Sequence, residues 1–372
     1  MSDTKQQEGS GRLHFLDSLR GLAALYVVAF HLLIVPQTNL VIPSASLRLL
    51  VEFGGTGVFL FFVISGFSLS LTMPRHDRTP WPAASYGVSR IFRIAPLFYA
   101  MLILTVIQDD TIFGARDGLR NILLNSSLLF NLVPHYQEGI VWASWTIGVE
   151  MLFYAVFLPI YRTSPIIQIG IGLASLGVFA VADSLLPAHY TFWSVLGWVQ
   201  IFIIGMLAFE LYDLLKDHQY ARTIGLLAII GGVAALGLCA IQTLADKNIA
   251  LRIPIGLGYA ALLIGCGLRQ LPFLSSRPLR FYGRISYSVY LVHPPIIVHC
   301  SRLYYFVAQA LPSALSYWIC LAATLVVVPS IAFLAYRFVE LPGIRLGKHM
   351  LDSLWRQSAL VAYFSDPSSS PH

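Results

Sequence analysis

The first apolar segment of the chain, Leu16–Val35, carries Arg20 near its start and His31 deep within it. At about 1.5 Å of rise per helical residue, the distance between them along a helix is roughly 16 Å. If Arg20 marks one face of a bilayer with an apolar core about 30 Å thick, His31 lies near its centre. An ionisable group there is costly unless it faces protein or a wet cavity, so His31 is a candidate functional residue. A histidine that only bonds a neighbouring helix is the alternative.

A carboxylate is expected at a similar depth in another apolar segment, Ile140–Ile160. Glu150 is the only acidic residue of that segment, and its distance from the outer end corresponds to about 15 Å of helix. Pairing a histidine with a carboxylate makes both groups tolerable in a membrane. The same pair orients a general base, because the carboxylate fixes and stabilises the imidazole. We therefore predict His31 and Glu150 as catalytic residues.

Two further motifs carry polar groups. The segment SRIFRIAPLFY places Arg90 and Arg93 one helical turn apart at the expected cytoplasmic face. Arginines there either orient the chain in the membrane or bind phosphates bidentately. The segment GRISYSVYLVHPPII places Ser286 and His293 in the bundle, followed by two prolines that are expected to break or kink the helix. His293 is either a second functional group or a structural histidine at that kink.

Positioning these residues requires a bundle of membrane helices. The chain is 57% hydrophobic and 11% charged, with a mean hydropathy of +0.72, which excludes an ordinary soluble domain. Its apolar runs are continuous rather than alternating, which indicates helices instead of barrel strands. We predict an all-α, polytopic membrane helix bundle with ten spans: Leu16–Val35, Phe53–Met73, Ile94–Ile107, Ile140–Ile160, Ile166–Ala182, Phe192–Leu211, Ile224–Leu244, Ile253–Leu268, Ile285–Cys300 and Leu315–Phe338.

Loop charges give the orientation. With the amino terminus inside, 18 of the 24 lysines and arginines fall in inner segments. The outer ones are Arg48, Arg116, Arg120, Lys247, Arg252 and Arg302. This asymmetry follows the positive-inside rule and predicts an even number of spans with both termini cytoplasmic. It also accounts for the net charge of +6 without a nucleic-acid partner.

Three regions follow from this topology. Residues 1–13 are a polar cytoplasmic tail without a cleavage site, so the first helix is expected to be retained. Residues 14–345 form the transmembrane domain. Residues 346–372 form a second cytoplasmic tail, mildly amphipathic at first and disordered at its end.

The remaining features suggest packing and an accessory loop. The glycines and serines of GGTGVFLFFVISGFSLSL suit close helix contacts. The outer loop Gln108–Gly139 is long enough to form a lid or part of an acceptor site. Four cysteines lie in apolar spans without metal-ligand spacing and are expected to be buried free thiols: Cys239, Cys266, Cys300 and Cys320.

The motifs together resemble the integral-membrane acyltransferase family 3, which includes many bacterial envelope-glycan O-acetyltransferases. The resemblance covers roughly residues 14–343. It rests on Arg20 and His31 separated by ten residues, followed in order by GVFLFFVISGF, SRIFRIAPLFY, SWTIGVEMLFY, GRISYSVYLVHPP and FVELP. Any one of these motifs is weak, whereas the ordered set is specific.

The resemblance implies transfer of an acyl group, with acetyl expected, from cytoplasmic acyl-CoA to a hydroxyl of an envelope glycan or glycolipid. The expected location is the bacterial inner membrane, with membrane lipid around the chain and no metal. His31 matches the family's essential histidine, Arg20 its partner arginine and Glu150 the carboxylate of the fourth-span motif. Arg90 and Arg93 match the basic motif expected to contact the coenzyme, and Arg20 is included among its candidate ligands.

Some assignments stay open at this point. Trp145, Tyr154, Ser286 and His293 are further candidates within the matched motifs. Thr146 and Gly148 depart from the family pattern, which often has serines there, so no role is assigned to hydroxyls at those positions. His31 either takes a proton from the acceptor or carries the acyl group itself. The alternative function is a proton-coupled transporter or flippase that uses the buried His/Glu pair as a proton relay.

Overall fold

The computed structural model describes residues 13–114, 117–186, 188–245 and 251–365. Within these ranges the chain forms sixteen α-helices and no strand, so the predicted all-α class is confirmed. In chain order they are α1 (His14–Ile34), α2 (Ala45–Glu52), α3 (Gly57–Asp77), α4 (Pro82–Gln108), α5 (Leu119–Ser126), α6 (Trp145–Tyr161), α7 (Pro165–Leu185), α8 (Ala188–Trp193), α9 (Val199–Leu215), α10 (Ala221–Ala245), α11 (Arg252–Arg269), α12 (Arg277–Arg284), α13 (Ser286–His299), α14 (Ser301–Ala310), α15 (Ser313–Ala335) and α16 (Leu341–Ser365).

Seven helical segments of the described chain are long and apolar enough to cross a membrane. They are His14–Ile34, Ala45–Asp77, Pro82–Ile112, Pro165–Leu185, Val195–Leu215, Ala221–Thr243 and Ser313–Trp355. The other three predicted spans correspond to α6, α11 and α13, which are shorter or less apolar and bury many of their side chains. A polytopic bundle is therefore confirmed, whereas the number of ten spans and the cytoplasmic termini stay predictions.

The chain divides into two compact units, whose boundaries fall within α3, α9 and α15. The first unit comprises the described parts of residues 1–68 and 201–329, and the second those of 69–200 and 330–372. Helix α1 lies in the core of the first unit, with Val27 and Val28 fully buried.

Glycines bring the neighbours of α1 into close contact with it. A Cβ on Gly21 would lie 2.8 Å from the backbone nitrogen of Gly283 in α12. On the other side, a Cβ on Gly54 would lie 2.7 Å from the Tyr26 carbonyl oxygen, and one on Gly57 would overlap Val27. The predicted packing role of the glycines in the second span is thus confirmed for these two positions.

Helices α10 and α11 pack through two glycine contacts. Gly232 faces the carbonyl of Gly258, and Gly265 faces that of Gly225; added Cβ atoms would lie 2.8 and 2.6 Å from those oxygens. Within each helix the two glycines are seven residues apart, or two turns, so they form one antiparallel seam. The outer face of α10 exposes large apolar residues, as expected for a surface in lipid.

In the second unit, α4 begins at Pro82, so the prediction that this span starts at Ile94 was wrong. Proline suits the first turn of a helix, where its missing N–H has no intrahelical partner. The arginines lower the local hydropathy without opposing helix formation. Helix α3 also continues past Pro74 to Asp77. The connection between α3 and α4 is therefore only residues 78–81, which is shorter than the predicted inner loop.

The predictions for the two ends of the chain stay predictions. Of the predicted cytoplasmic tail 1–13, residues 1–12 lie outside the described residues, as do residues 366–372 of the predicted disordered end. The amphipathic segment lies within α16, which packs against α4. A Cβ on Gly347 of α16 would lie 2.6 Å from Phe92. The four cysteines are free, and all but Cys300 are buried, which largely confirms their prediction.

Candidate functional site

The two histidines of the predicted site contact each other in the first unit. His293 Nε2 lies 3.0 Å from His31 Nδ1, and the ring centroids are 5.0 Å apart. His31 comes from α1 and His293 from α13. His293 is fully buried, whereas His31 is partly exposed. The structure therefore places the second histidine directly behind the first.

Backbone carbonyls determine which ring nitrogens carry protons in the neutral pair. His293 Nδ1 lies 3.1 Å from the Val289 carbonyl oxygen, which can only accept, so this nitrogen bears the proton. His293 Nε2 is then an acceptor. His31 Nδ1, 3.1 Å from the Val27 carbonyl oxygen and 3.0 Å from His293 Nε2, is the donor. His31 consequently has its basic lone pair on Nε2, as a general base oriented through its other nitrogen requires.

Packing holds the histidine pair in place. Tyr317 of α15 donates a hydrogen bond of 2.9 Å to the Ala29 carbonyl oxygen, which ties α15 to α1 two residues before His31. The ring of Phe30 lies 5.1 Å from that of His31, and the ring of Tyr290 lies 5.7 Å from that of His293. An apolar cluster of the same unit surrounds the end of α1 and includes Leu32, Val35, Leu40, Ile42, Ile297 and Tyr317. These contacts restrict the rotamers of both rings.

The two prolines after His293 do not end the helix. Helix α13 continues from Ser286 to His299, so of the two predicted outcomes, a break or a kink, the break does not occur and the kink stays a prediction. Each proline removes one backbone donor and leaves the carbonyl four residues earlier without its helical partner. His299 Nδ1 lies 2.7 Å from the Pro295 carbonyl oxygen and supports the last turn.

Arg20 is anchored by two partners in the first unit. Its Nη2 donates a 2.7 Å hydrogen bond to Ser68 Oγ, and its Nη1 lies 3.7 Å from Asp17 Oδ1. The backbone of Asp17 packs directly on Gly283 of α12. The predicted contact of Arg20 with a coenzyme stays a prediction.

A second group of predicted residues meets in the second unit. Tyr154 donates a hydrogen bond to Glu150 Oε1 one turn earlier on α6. The guanidinium of Arg90 lies 6.0 Å from the ring centroids of both Tyr154 and Tyr86, within the range of cation–π attraction. Tyr86 in turn donates a 3.0 Å hydrogen bond to the Tyr154 carbonyl oxygen. Arg90, Tyr154 and Glu150 thus form one connected group.

Arg90 keeps an unused donor. Its only described hydrogen bond is a long one of 3.5 Å from Nη2 to Thr72 Oγ1, and its Nε is buried without a hydrogen-bond partner. A buried donor without a partner is costly, and an anion would satisfy it. Arg93 lies three residues further along α4 and is half-buried. This arrangement fits a phosphate ligand.

The first turn of α6, the helix that carries Glu150, packs against neighbouring segments of the second unit. The ring of Trp145 lies 4.9 Å from that of Trp193 and 5.0 Å from that of Trp198. A Cβ on Gly148 would lie 2.9 Å from Asn131, so glycine lets the loop approach the helix. Thr146 donates its hydroxyl to the Ala143 carbonyl oxygen at 3.2 Å. The two departures from the family pattern therefore have structural roles in this chain.

The remaining candidate, Ser286, has a local structural contact. Its Oγ donates a 2.9 Å hydrogen bond to the Gly283 carbonyl oxygen at the junction of α12 and α13, and the side chain is buried. Of the other candidates, the contacting pair His31 and His293 and the separate Arg20 belong to the first unit. Arg90, Arg93, Trp145, Tyr154 and Glu150 belong to the second unit, where Arg90, Tyr154 and Glu150 are connected. Because His31 and Glu150 belong to different units, their pairing stays a prediction.

Sequence reasoning missed the polar residues that organise the outer loop. Asn125 and Asn131 are almost completely buried and bond several backbone segments. Their signal in the sequence is modest: asparagines four residues apart on one short helix, followed by another asparagine in an apolar context. Among the described residues, no three or more His, Cys, Asp or Glu side chains are grouped so that they could hold a metal ion.

Comparison with known proteins assigns the chain to a family. The acyltransferase domain family, Acyl_transf_3, matches residues 13–333. The exopolysaccharide production protein ExoZ of Rhizobium meliloti (strain 1021) is 26% identical over 314 residues, which is 79% of this chain and 91% of that protein. BcsY of Komagataeibacter xylinus, a proposed membrane-bound transacylase, is 26% identical over 358 residues, or 88% of this chain and 82% of that protein. No solved structure matches the chain. With its apolar helices, the chain therefore belongs to the Acyl_transf_3 family and is a multi-pass membrane acyltransferase.

Proposed function

We propose that this enzyme transfers an acyl group, with acetyl expected, from cytoplasmic acyl-CoA to a hydroxyl of an envelope polysaccharide or its lipid-linked precursor. The bacterial inner membrane is the proposed location. The name of one relative refers to exopolysaccharide production and that of the other to transacylation, which supports a glycan acceptor. The observation that carries the proposal is the contact between His31 and His293.

His31 acts as the general base in the proposed reaction. Its Nε2 takes the proton from the acceptor hydroxyl while the hydroxyl oxygen attacks the thioester carbonyl carbon. A C–O bond forms, the C–S bond breaks, and coenzyme A leaves as the thiolate, which takes up a proton. His293 keeps the proton of His31 on Nδ1 throughout the attack. Transfer through an acyl-histidine would use the same Nε2 lone pair as the nucleophile.

Arg90 and Arg93 are the proposed ligands of the coenzyme phosphates. The buried Nε of Arg90 supports this assignment, because a phosphate oxygen would satisfy it and the planar guanidinium binds phosphates bidentately. Arg20 is a further proposed ligand. Glu150, held by Tyr154, is proposed to orient and stabilise the protonated base.

Membership of an acyltransferase family favours this function over the transporter or flippase. The experiment uses the purified chain in proteoliposomes that enclose a pH-sensitive dye, with acyl-labelled acetyl-CoA and a crude envelope glycan. We expect free coenzyme A and labelled glycan to appear together, and only when the glycan is present. Proton flux into the liposomes without release of coenzyme A would instead support the transporter and reject the proposal.

A further inference from the structure

A polar pocket of about 260 Å³ lies in the second unit, beside the segment between α5 and α6. This space is many times what a single water molecule needs, which suits a small ligand. The side chains around it are an amide-rich and aromatic set: Asn121, His135, Tyr136, Gln137, Glu138 and Trp193. None of these residues belongs to the proposed acyl-transfer machinery.

The chemistry of the lining favours a sugar over a phosphate or a lipid. Amides donate and accept hydrogen bonds and a carboxylate accepts them, which suits neighbouring hydroxyls that do both. Trp193 supplies an aromatic ring, whose negative face attracts the polarised C–H groups on the face of a sugar ring. The ring of Tyr136 already stacks with a cation, because the guanidinium of Arg120 lies 5.4 Å from its centroid. Among the described residues that line the pocket there is no lysine or arginine, which a phosphate site would need, and Arg120 is engaged by the ring of Tyr136. The lining is also too polar for an acyl chain.

One buried side chain fixes two sides of this pocket. Asn131, which is 1% exposed, donates to the Trp193 carbonyl oxygen at 2.7 Å and to the Gln137 carbonyl oxygen at 3.3 Å. Its Oδ1 accepts from the backbone nitrogen of Val195 at 2.8 Å. The side-chain amide of Asn131 therefore connects the segment around Gln137 to the segment around Trp193.

A second asparagine fixes the third side. Asn125 is fully buried, donates to Asn121 Oδ1 at 2.9 Å and accepts from the backbone nitrogen of Ile140 at 3.0 Å. In the segment between Asn131 and Ile140, His135 and Gly139 adopt positive φ angles of 73° and 78°. Such a conformation at a non-glycine residue persists only where the surroundings impose it. The pocket is accordingly formed before any ligand binds.

The pocket is close in sequence and structure to the helix of Glu150. The ring of Trp193 packs at 4.9 Å on that of Trp145, the first residue of α6. Glu150 follows five residues later, about 7.5 Å further along the helix. A glycan held in the pocket would therefore present its neighbouring sugar units near the carboxylate.

We infer that this pocket binds one sugar residue of the acceptor glycan and thereby selects the acceptor. This inference rests on the proposed function, since it names the binding site of the acceptor. The residues assigned to sugar binding are Glu138 and Gln137, by hydrogen bonds, and Trp193, by its ring. Asn125 and Asn131 are positioning residues.

Binding is measured without a donor, so that it does not depend on turnover. The chain in lipid nanodiscs is titrated by saturation-transfer NMR with neutral tetrasaccharides of glucose, galactose and mannose. We expect saturable binding of at least one of them, weakened about tenfold or more by Glu138→Ala, because a charge-assisted hydrogen bond is lost. Trp193→Ala is expected to have the same effect, and Trp81→Ala, at a residue that is 48% exposed outside the pocket, serves as the control.

Two results would overturn the inference: no saturable binding of any tetrasaccharide, or wild-type affinity of Glu138→Ala. Glu138 is exposed, so Glu138→Ala is expected to fold. If Trp193→Ala does not fold, the affinity of Glu138→Ala alone tests the inference. In the transfer assay the same variants should raise the KM for glycan and leave the KM for acyl-CoA unchanged. Suppose that the protein binds sugar, loses that binding in Glu138→Ala, and yet transfers no acyl group. That result would support the pocket as a sugar site and contradict the proposed function.

Discussion

At the scale of residues, the contact between His31 and His293 gives a defined role to each imidazole. Two carbonyl oxygens, of Val27 and Val289, place the protons on both Nδ1 atoms and so leave the base at His31 Nε2. The sequence identified both histidines as candidates. It did not predict their contact, because 262 residues separate them and only the packing of α13 on α1 brings them together.

Replacing His293 tests whether it sets the tautomer of His31. His293→Ala removes the acceptor at Nε2, and we expect kcat to fall about 10- to 100-fold, as is typical when the partner that orients a histidine is lost. His293→Gln should restore much of that loss, because the amide oxygen can accept from His31 Nδ1. The exposed His299 provides the control as His299→Ala. Equal defects in the Ala and Gln variants, both folded, would assign His293 to packing alone.

Arg90 offers a test of donor binding. Arg90→Ala should raise the KM for acyl-CoA about 10- to 150-fold, because a hydrogen bond to a charged group is worth about 1.5–3 kcal/mol. Arg90→Lys should recover only part, since lysine lacks the planar fork. Arg78→Ala, at an exposed arginine of the same region, is the control. Donor affinity that is unchanged in a folded Arg90→Ala variant would limit this arginine to its contacts with Tyr86 and Tyr154.

At the scale of elements, sequence reasoning located the helices and missed several of their ends. Continuous apolar runs mark a helix in a membrane, so each of the ten predicted spans corresponds to a helix. The first twelve residues of α4, about three turns, were missed because Arg90 and Arg93 lower the local hydropathy. Helix α13 continues through Pro294 and Pro295 because a buried helix tolerates prolines where neighbouring groups satisfy the freed backbone. The contacts of Asn125 and Asn131 between α5 and α6 follow no periodic pattern, so the sequence did not predict them.

The glycine seam between α10 and α11 provides a test of helix packing. Gly231 and Gly232 are adjacent on α10, but only Gly232 faces α11; a Cβ on Gly231 would meet nothing within 4 Å. Gly232→Ala should therefore lower the stability by about 1–3 kcal/mol through overpacking. Gly231→Ala should leave it unchanged or slightly raise it, because alanine favours the helix. The melting temperatures of both variants in one detergent check this. Equal melting temperatures would show that the two helices do not depend on this contact.

At the scale of the whole molecule, the distribution of charges predicts the orientation in the membrane. Eighteen of 24 basic residues lie in segments expected to be cytoplasmic. Cysteines introduced at the exposed Ala84 and Ser127, in a background without the native cysteines, should label differently on intact cells. A membrane-impermeant thiol reagent should modify only Ser127→Cys, and both should react after permeabilisation. Labelling of Ala84→Cys on intact cells would contradict the predicted orientation.

If His31 is the base of acyl transfer, the transfer rate of His31→Ala reports its role directly. Wild type and variant are compared at matched amounts and melting temperatures, with labelled acetyl-CoA and envelope glycan. General-base catalysis contributes about 10²- to 10⁴-fold, so kcat should fall by that factor while the KM for acyl-CoA changes little. A folded His31→Ala enzyme that acylates the glycan at the wild-type rate would contradict the account.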